Sequence, residues 1–355
     1  MGVLSVYVDA DPERLTGAEP GFEIALRSGI HDIRDRLKER LAHGEWAAAL
    51  ERIDELAPQL AELGDPASEG RGRALFAALS GDAVHRVALR ERLPDRVEVD
   101  ARAHMLPLLA ALERARPAGV VSVSRNAVRA VHRSAETVEE VLSAEIDPAT
   151  DDWRMLAGPA GRNPAAPQSS APQRDLYDRR LEQHQVRGVE SVARRVEEAA
   201  GERGWQLVVV AGDPRMAEPF AEALGDEARE VVIADRILDW RSPAHLVEAL
   251  EPELAGARVA AERRRVADVV DRAGAGGHGA LGRKAVAAAL REGRVEVLLI
   301  DPEGARERAG AASGPGEEEL VAAALETSAA VAPIEDEQAR AALARDDGVA
   351  ALLRW

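Results

Sequence analysis

The sequence contains no cysteine, which excludes disulfide bonds, thiolate metal sites and a cysteine nucleophile. Aromatic residues make up only 3% of the chain, so its hydrophobic cores must consist mainly of alanine, valine and leucine. No apolar run approaches the roughly 20 residues that a membrane-spanning helix needs. The first residues also lack the basic and then apolar stretches of a signal peptide. We therefore expect a cytoplasmic protein that does not interact with membranes.

Lysine is nearly missing, since it occurs only as Lys38 and Lys284, and the net charge is −17. This charge argues against general binding to nucleic acids, DNA included, because phosphate contacts come from lysine and arginine. Residues 154–195, called the basic segment below, reverse the balance with eight arginines and four acidic residues, 8 − 4 = +4. The arginines are Arg154, Arg162, Arg174, Arg179, Arg180, Arg187, Arg194 and Arg195. A local positive charge on an acidic protein indicates one phosphate-rich contact, although a solvent-exposed helix face would look the same.

The chain has 355 residues, of which 46% are apolar, so we expect two or three globular domains. Strand-like and helix-like patterns alternate along it, which predicts the α/β class. We place three domains at residues 1–100, 101–236 and 237–355. Residues 147–173 contain five prolines and no periodicity, which predicts a long loop. Loops of this length within a domain are usually functional or disordered.

Some elements are predicted by local pattern. Residues 73–79 and 83–89 are separated by a Ser-Gly-Asp turn, which predicts a β-hairpin. Helices are predicted over residues 46–63, about 175–202, 243–273 and 281–292.

No nucleotide, metal or hydrolase motif is complete. Gly274, Gly276 and Gly279 have the spacing of a dinucleotide-binding turn, but a charged helix precedes them instead of the required strand. The eight histidines lack metal-ligand spacing, and only His278, among glycines, is of interest. The G-x-S-x-G sequence of a nucleophilic serine is also missing. We therefore expect neither a metal nor another cofactor.

The C-terminal third resembles a known family. Residues 279–300 (GALGRKAVAAALREGRVEVLLI) are similar to the third domain of the archaeal and eukaryotic peptide chain release factor and of Pelota. Residues 347–355 (DGVAALLRW) resemble the end of that domain. The two pieces occur in the right order and at the spacing of one domain, so together they are a fairly specific signal. The resemblance implies that this domain has the ribosomal kink-turn-binding fold.

The middle of the chain resembles the same family. Residues 100–113 are similar to the start of its second domain, and residues 207–212 (LVVVAG) to one of its strands. Tyr177, Arg179 and nearby residues resemble the start of the long helix behind the catalytic loop. The similarity extends over roughly residues 70–355. Length and domain order are most similar to bacterial members such as the hibernation factor Balon and its mycobacterial relatives.

The loop that releases the peptide departs from the family pattern. Releasing members carry Gly-Gly-Gln there, with glycines that let the backbone approach the peptidyl-tRNA ester. This chain has Ala-Pro-Gln twice, ending at Gln168 and Gln173. Pro167 and Pro172 fix the backbone and remove an N–H donor, so they cannot reproduce the glycine conformations. Gln168 and Gln173 are therefore weak candidates for catalytic residues.

The resemblance implies a ribosome-binding translation factor that occupies the A site, and we interpret it as a non-catalytic factor of hibernation or stress. Arg162, Arg174, Arg179 and Arg180 are the candidates for contacts with rRNA phosphates. By analogy with Pelota, the C-terminal domain would dock a translational GTPase. Two alternatives stay open: a peptidyl-tRNA hydrolase that rescues ribosomes with an altered loop, and a protein-interaction module that no longer acts on the ribosome.

Overall fold

A computed structural model describes residues 2–15, 21–146, 170–225, 229–238, 240, 242–303 and 315–355. They form three β-sheets with helices packed on them, which confirms the α/β class. The chain divides into two compact units. Unit 1 comprises Met1–Ala115 and Arg258–Trp355, and unit 2 comprises Arg116–Ala257. The three predicted domains, 1–100, 101–236 and 237–355, stay a prediction.

The first sheet of unit 1 is antiparallel, with the strand order β3-β2-β1-β4. Its strands are β1 (Val3–Asp9), β2 (Gly72–Ala78), β3 (Val84–Leu89) and β4 (Arg96–Asp100). Strands β2 and β3 form the predicted hairpin. A short helix, α1 (Pro12–Leu15), follows β1. One face of the sheet packs against three helices, α2 (Gly21–Arg40), α3 (His43–Glu55) and α4 (Ala57–Leu63), through alternate apolar residues such as Leu4 and Val6.

The second sheet of unit 1 has the order β10-β13-β11-β12, in which only β11 and β12 are parallel. Its strands are β10 (Gly279–Leu281), β11 (Val295–Ile300), β12 (Ala330–Pro333) and β13 (Val349–Leu353). The helices α5 (Leu106–Arg114), α10 (Arg283–Arg291), α11 (Glu317–Glu326) and α12 (Glu337–Leu343) also belong to unit 1. Leu106 of α5 joins the core formed by α10, α11 and this sheet.

Unit 2 contains a five-stranded mixed sheet with the order β7-β6-β5-β8-β9. Its strands are β5 (Ala118–Val123), β6 (Ala127–Arg133), β7 (Val138–Glu145), β8 (Leu207–Gly212) and β9 (Glu230–Ala234). Helices α6 (Ser170–Glu202) and α7 (Pro214–Ala223) contribute to the core on one face. Helix α8 (Pro243–Ala249) and the start of α9 (Glu251–Gly274) contribute to the core on the other.

Two predicted helices are each divided in two by a proline. The prediction of one helix over 46–63 is wrong, because α3 ends at Glu55 and α4 begins at Ala57. Similarly, the predicted helix over 243–273 consists of α8 and α9. Pro58 and Pro252 each occupy the second position of the new helix. A proline there has no N–H to donate to the carbonyl four residues earlier, so the preceding helix cannot continue.

Two other helix boundaries differ from the predictions. The predicted helix 281–292 begins only at Arg283, because residues 279–281 pair with β13 as strand β10 and Gly282 has a φ of 81°. Helix α6 begins at Ser170 instead of about 175, so the last residues of the predicted loop 147–173 are helical. Pro172 is tolerated there because the first-turn N–H groups of a helix have no internal partner. Residues 147–169 lie outside the described residues.

Candidate functional site

Four of the six predicted site residues lie on one element of unit 2. Gln173, Arg174, Arg179 and Arg180 all belong to α6, and their backbone positions are described. Arg162 and Gln168 lie outside the described residues. The structure therefore places three of the four predicted arginines, Arg174, Arg179 and Arg180, on the helix that follows β7.

Helix α6 is held on the sheet by a buried apolar stripe. Val189, Val192, Ala193, Val196 and Ala200 recur at three- and four-residue spacing and join the core that also contains residues of β5 and β6. This spacing puts them on one side of a helix, so the opposite side must face solvent.

A close approach brings α6 against the end of strand β7. The backbone of Gly188 lies under Ile146, and a Cβ atom at position 188 would be 2.7 Å from Ile146 Cγ2. Ile146 is buried, and its backbone N–H donates to the Asn126 carbonyl at 2.7 Å. This contact positions the helix relative to the sheet immediately before residues 147–169.

The outer side of α6 carries arginines that are available for an external contact. Arg187, Arg194 and Arg195 are exposed and have no ion-pair partner within the described parts of the chain. Positions 180, 187 and 194 repeat every seven residues and so lie along one face, about 10.5 Å apart. We call Arg187, Arg194 and Arg195 the arginine face. Glu190 and Glu198 share this side, so its positive charge is partly compensated.

Other arginines of unit 2 are occupied internally. The Arg229 guanidinium donates through Nη1 to both carboxylate oxygens of Glu197 at 2.6 Å and through Nε to the Trp205 carbonyl at 2.9 Å. Arg203 lies 3.8 Å from a Glu139 carboxylate oxygen. A guanidinium held this way would have to leave its partner to bind a phosphate, and this distinguishes these arginines from the arginine face.

The end of α6 is anchored by an aromatic pair that sequence reasoning missed. Trp205 Nε1 donates to His132 Nδ1 at 2.8 Å, and the two rings stack with centroids 6.2 Å apart. Burial lowers the pKa of His132, which favours the neutral ring that this hydrogen bond requires. A Cβ atom at Gly119 would be 2.2 Å from the Trp205 ring, so only glycine fits beneath it. Neither His132 nor Trp205 stands in a recognisable sequence motif.

The glycine-rich turn in unit 1 has the wrong surroundings for a dinucleotide. Gly274 ends helix α9, and Gly279 begins strand β10, so the order is helix, turn, strand. A pyrophosphate site needs strand, turn, helix. His278 is exposed, and its carbonyl accepts from the Leu353 N–H at 2.9 Å. Among the described residues, no group of three or more His, Asp and Glu side chains could hold a metal.

Comparison with known proteins identifies the middle of the chain. Residues 117–247, which make up most of unit 2, match the family described as bacterial archaeo-eukaryotic release factor family 5. Residues 117–247 are therefore a release-factor-like segment. The whole of α6 and of the five-stranded sheet lies within the matched residues. No curated protein matches the chain.

Solved structures of translation factors are similar to this chain at low identity. A ribosome-bound archaeal Pelota with ABCE1 is 19% identical, with 80% of this chain and 77% of that chain covered and a TM-score of 0.45. An archaeal translation termination factor, aRF1, is 20% identical, with 99% and 92% covered and a TM-score of 0.27. Dom34 of S. cerevisiae, a translation termination-like factor, is 9% identical, with 80% and 79% covered and a TM-score of 0.44.

Every helix in the described parts of the chain is too short or too polar to cross a lipid bilayer.

Proposed function

We propose that this release-factor-like protein binds the ribosome in the A site and acts without catalysis in hibernation or stress. The observation that carries the proposal is the arginine face of α6 (Arg187, Arg194 and Arg195), which lies inside the segment that matches the release-factor family. Exposed arginines that are not paired within the protein can form charge-assisted, often bidentate bonds with phosphates. Together with the predicted contacts Arg162, Arg174, Arg179 and Arg180, they make the basic segment the rRNA-binding surface.

The charge of the whole chain restricts how such binding can occur. With a net charge of −17, most of the surface is repelled by RNA, so non-specific attraction to RNA is weak. Binding then depends on a small number of arginines at a shape-matched site. Helix α6 presents these arginines to such a site, because its buried stripe fixes the direction in which its outer side points.

The non-catalytic part of the proposal rests on the sequence Ala-Pro-Gln in place of Gly-Gly-Gln. Gln173 belongs to the first turns of α6, where helical geometry restricts its backbone. Peptidyl-tRNA hydrolysis by Gln168 or Gln173 is the alternative function, since both stand where the family places its catalytic glutamine. About 1 Å of misplacement at such a centre can reduce the rate on the order of a hundredfold.

The partners follow from the same proposal. Pelota occurs in a ribosome-bound structure with ABCE1, and Dom34 is described as interacting with Hbs1. We extend this to the present chain as a ribosome-binding protein of the cytoplasm whose C-terminal segment, residues 237–355, docks a translational GTPase.

Co-sedimentation with purified ribosomes across a salt series tests the proposal. We expect the double variant Arg187→Glu/Arg194→Glu to leave the ribosome at a lower salt concentration than the wild type. Its plot of log affinity against log salt should flatten by about one unit per lost phosphate contact. The matched control, Arg291→Glu/Arg345→Glu, makes the same charge change at exposed positions of unit 1.

The control should bind like the wild type. Equal binding by a folded Arg187→Glu/Arg194→Glu variant, or equal loss in the control, would remove the arginine face from the proposal.

A further inference from the structure

Ser191 lies at the centre of the arginine face. It is exposed on the outer side of α6, between Arg187 and the pair Arg194 and Arg195. Side chains three and four residues apart are neighbours on a helix, so the neighbours of Ser191 are at positions 187, 188, 194 and 195. Three of these four are arginine, and the fourth is Gly188, which has no side chain. The three arginines of the face therefore surround one serine.

The serine leaves a gap between the three guanidiniums. Its Oγ donates to the Gly188 carbonyl at 2.8 Å, so the side chain stays close to the helix backbone. Helix geometry puts each arginine Cβ about 5–6 Å from that of Ser191, so three guanidiniums can meet above this short side chain. None of the three arginines has an ion-pair partner in the described parts of the chain. The gap thus lies among like charges and suits an anion.

The acidic residues of the same side do not occupy this gap. Glu190 and Glu198 are exposed on α6, one and seven residues from Ser191, so neither is a helical neighbour of it. They can approach the arginines only from the margins, by exposed contacts that contribute little and that salt screens. An anion above Ser191 can therefore contact all three arginines.

We propose that the arginine face holds one phosphate group of the RNA backbone above Ser191, with bonds from all three arginines to that phosphate. The Ser191 hydroxyl supplies a further donor when it rotates away from the Gly188 carbonyl. Bonds from arginine to phosphate are charge-assisted and strong, and one phosphate has several acceptor oxygens for donors that converge on it. The inference rests on the proposed ribosome binding and adds that Ser191, an uncharged residue, controls access to this phosphate site.

Ser191→Asp tests the inference, because it places a carboxylate in the gap and leaves every arginine in place. We expect ribosome co-sedimentation of the full chain to weaken about tenfold or more, the size expected when a charge-assisted hydrogen bond is lost. Ser191→Ala keeps the gap open and removes only the hydroxyl, so it should weaken binding about threefold at most. Equal binding by the wild type and a folded Ser191→Asp variant would overturn the proposal.

The matched control is Ser28→Asp, the same substitution at an exposed serine within helix α2 of unit 1. The helical neighbours of Ser28, at positions 24, 25, 31 and 32, include no arginine. We expect this variant to bind ribosomes like the wild type. A loss as large as that of Ser191→Asp would mean that the added negative charge acts from any position, and this would overturn the proposal.

Titration with inorganic phosphate, followed by the arginine Nε–Hε NMR signals of the full chain, gives a readout that does not need the ribosome. We expect the signals of Arg187, Arg194 and Arg195 to shift with one common dissociation constant in the wild type and in Ser191→Ala. They should not shift in Ser191→Asp, and the same spectra show whether each variant is folded.

The two readouts separate this inference from the proposed function. Three different dissociation constants, no shift in the wild type, or shifts that persist in Ser191→Asp would overturn the shared phosphate site, even where Arg187→Glu/Arg194→Glu releases the ribosome. Conversely, a wild type that does not bind ribosomes would contradict the proposed function, and a common shift would then still support one phosphate site above Ser191.

Discussion

At the scale of single residues, Arg73 holds together the connection between α4 and β2, which has little regular secondary structure. Its buried guanidinium donates to the carbonyls of Leu63 at 2.8 Å, Asp65 at 2.7 Å and Glu69 at 3.0 Å, and also to that of Ser68. One side chain therefore satisfies four acceptors between α4 and β2. Such a set of bonds requires the planar fork of arginine, which lysine cannot reproduce.

We expect Arg73→Met to lower the free energy of unfolding by about 3 kcal/mol, because it leaves the buried Leu63 carbonyl and three partly buried carbonyls without donors. Urea denaturation measures the change. The control is Arg86→Met on the neighbouring strand, where the arginine is exposed and its pair with Glu62 contributes at most about 1 kcal/mol. Similar losses in both variants would contradict this account of Arg73.

His132 makes the stability of unit 2 depend on pH. Burial lowers its pKa from the ordinary value of 6.5, so the folded protein binds this proton less readily than the unfolded chain. The contribution of the neutral ring is complete above about pH 6.5 and is lost as the pH falls toward the folded-state pKa. We expect part of the loss of stability between pH 7.5 and 5.5 to disappear in His132→Gln.

Urea titrations at several pH values measure this effect. His85→Gln, on the exposed side of β3, serves as the control and should keep the pH dependence of the wild type. If His132→Gln also keeps it, the hydrogen bond from Trp205 does not depend on the neutral ring in the way described.

At the scale of elements, two helical glycines differ in the space that is available for a side chain. Gly256 in α9 is exposed, and a Cβ atom added to it would have no neighbour within 4 Å. Gly188 in α6 lies under Ile146. We expect Gly256→Ala to raise the free energy of unfolding by up to about 1 kcal/mol, since alanine favours helix. Gly188→Ala should gain nothing or lose stability, because Ile146 must shift. Thermal unfolding of both variants distinguishes the cases, and equal gains would show that the contact is not tight.

Local pattern predicted the elements whose formation depends on local chemistry. The hairpin of β2 and β3 follows from the Ser-Gly-Asp turn between its strands. Strand β10 has only three residues and forms by pairing with β13, which lies about 70 residues later in the chain. No local sequence pattern therefore predicts it. The divided helices were predictable in principle, because Pro58 and Pro252 mark both breaks.

The candidate site was predictable only in part, for a similar reason. The excess of arginine and the seven-residue repeat of positions 180, 187 and 194 are visible in the sequence. Among the described residues, Arg187, Arg194 and Arg195 have no ion-pair partner, whereas Arg229 is bound to Glu197. This difference depends on the packing of elements that are distant in sequence. The pairing of His132 with Trp205 likewise joins residues 73 positions apart.

At the scale of the whole molecule, the proposed function makes a prediction about chemistry. We expect the purified protein to release no labelled peptide from ribosome-bound peptidyl-tRNA, because Pro167 and Pro172 each remove an N–H that could stabilise the oxyanion. Ribosome binding should be the same for the wild type, Gln168→Ala, Gln173→Ala and the double variant. Release of peptide that disappears in either single variant would replace the hibernation proposal with the hydrolase.

The order of the two units along the chain affects when each can fold during synthesis. Unit 2 is continuous and is inserted into unit 1, whose two parts flank it. The carboxylate of Glu318 accepts from the backbone N–H groups of Met105 and Leu106 at the start of α5, at 2.8 and 3.1 Å. During synthesis, α5 leaves the tunnel long before Glu318 exists. Unit 2 can therefore fold on the translating ribosome before unit 1 is complete, whereas Leu106 stays without its core until the last strands emerge.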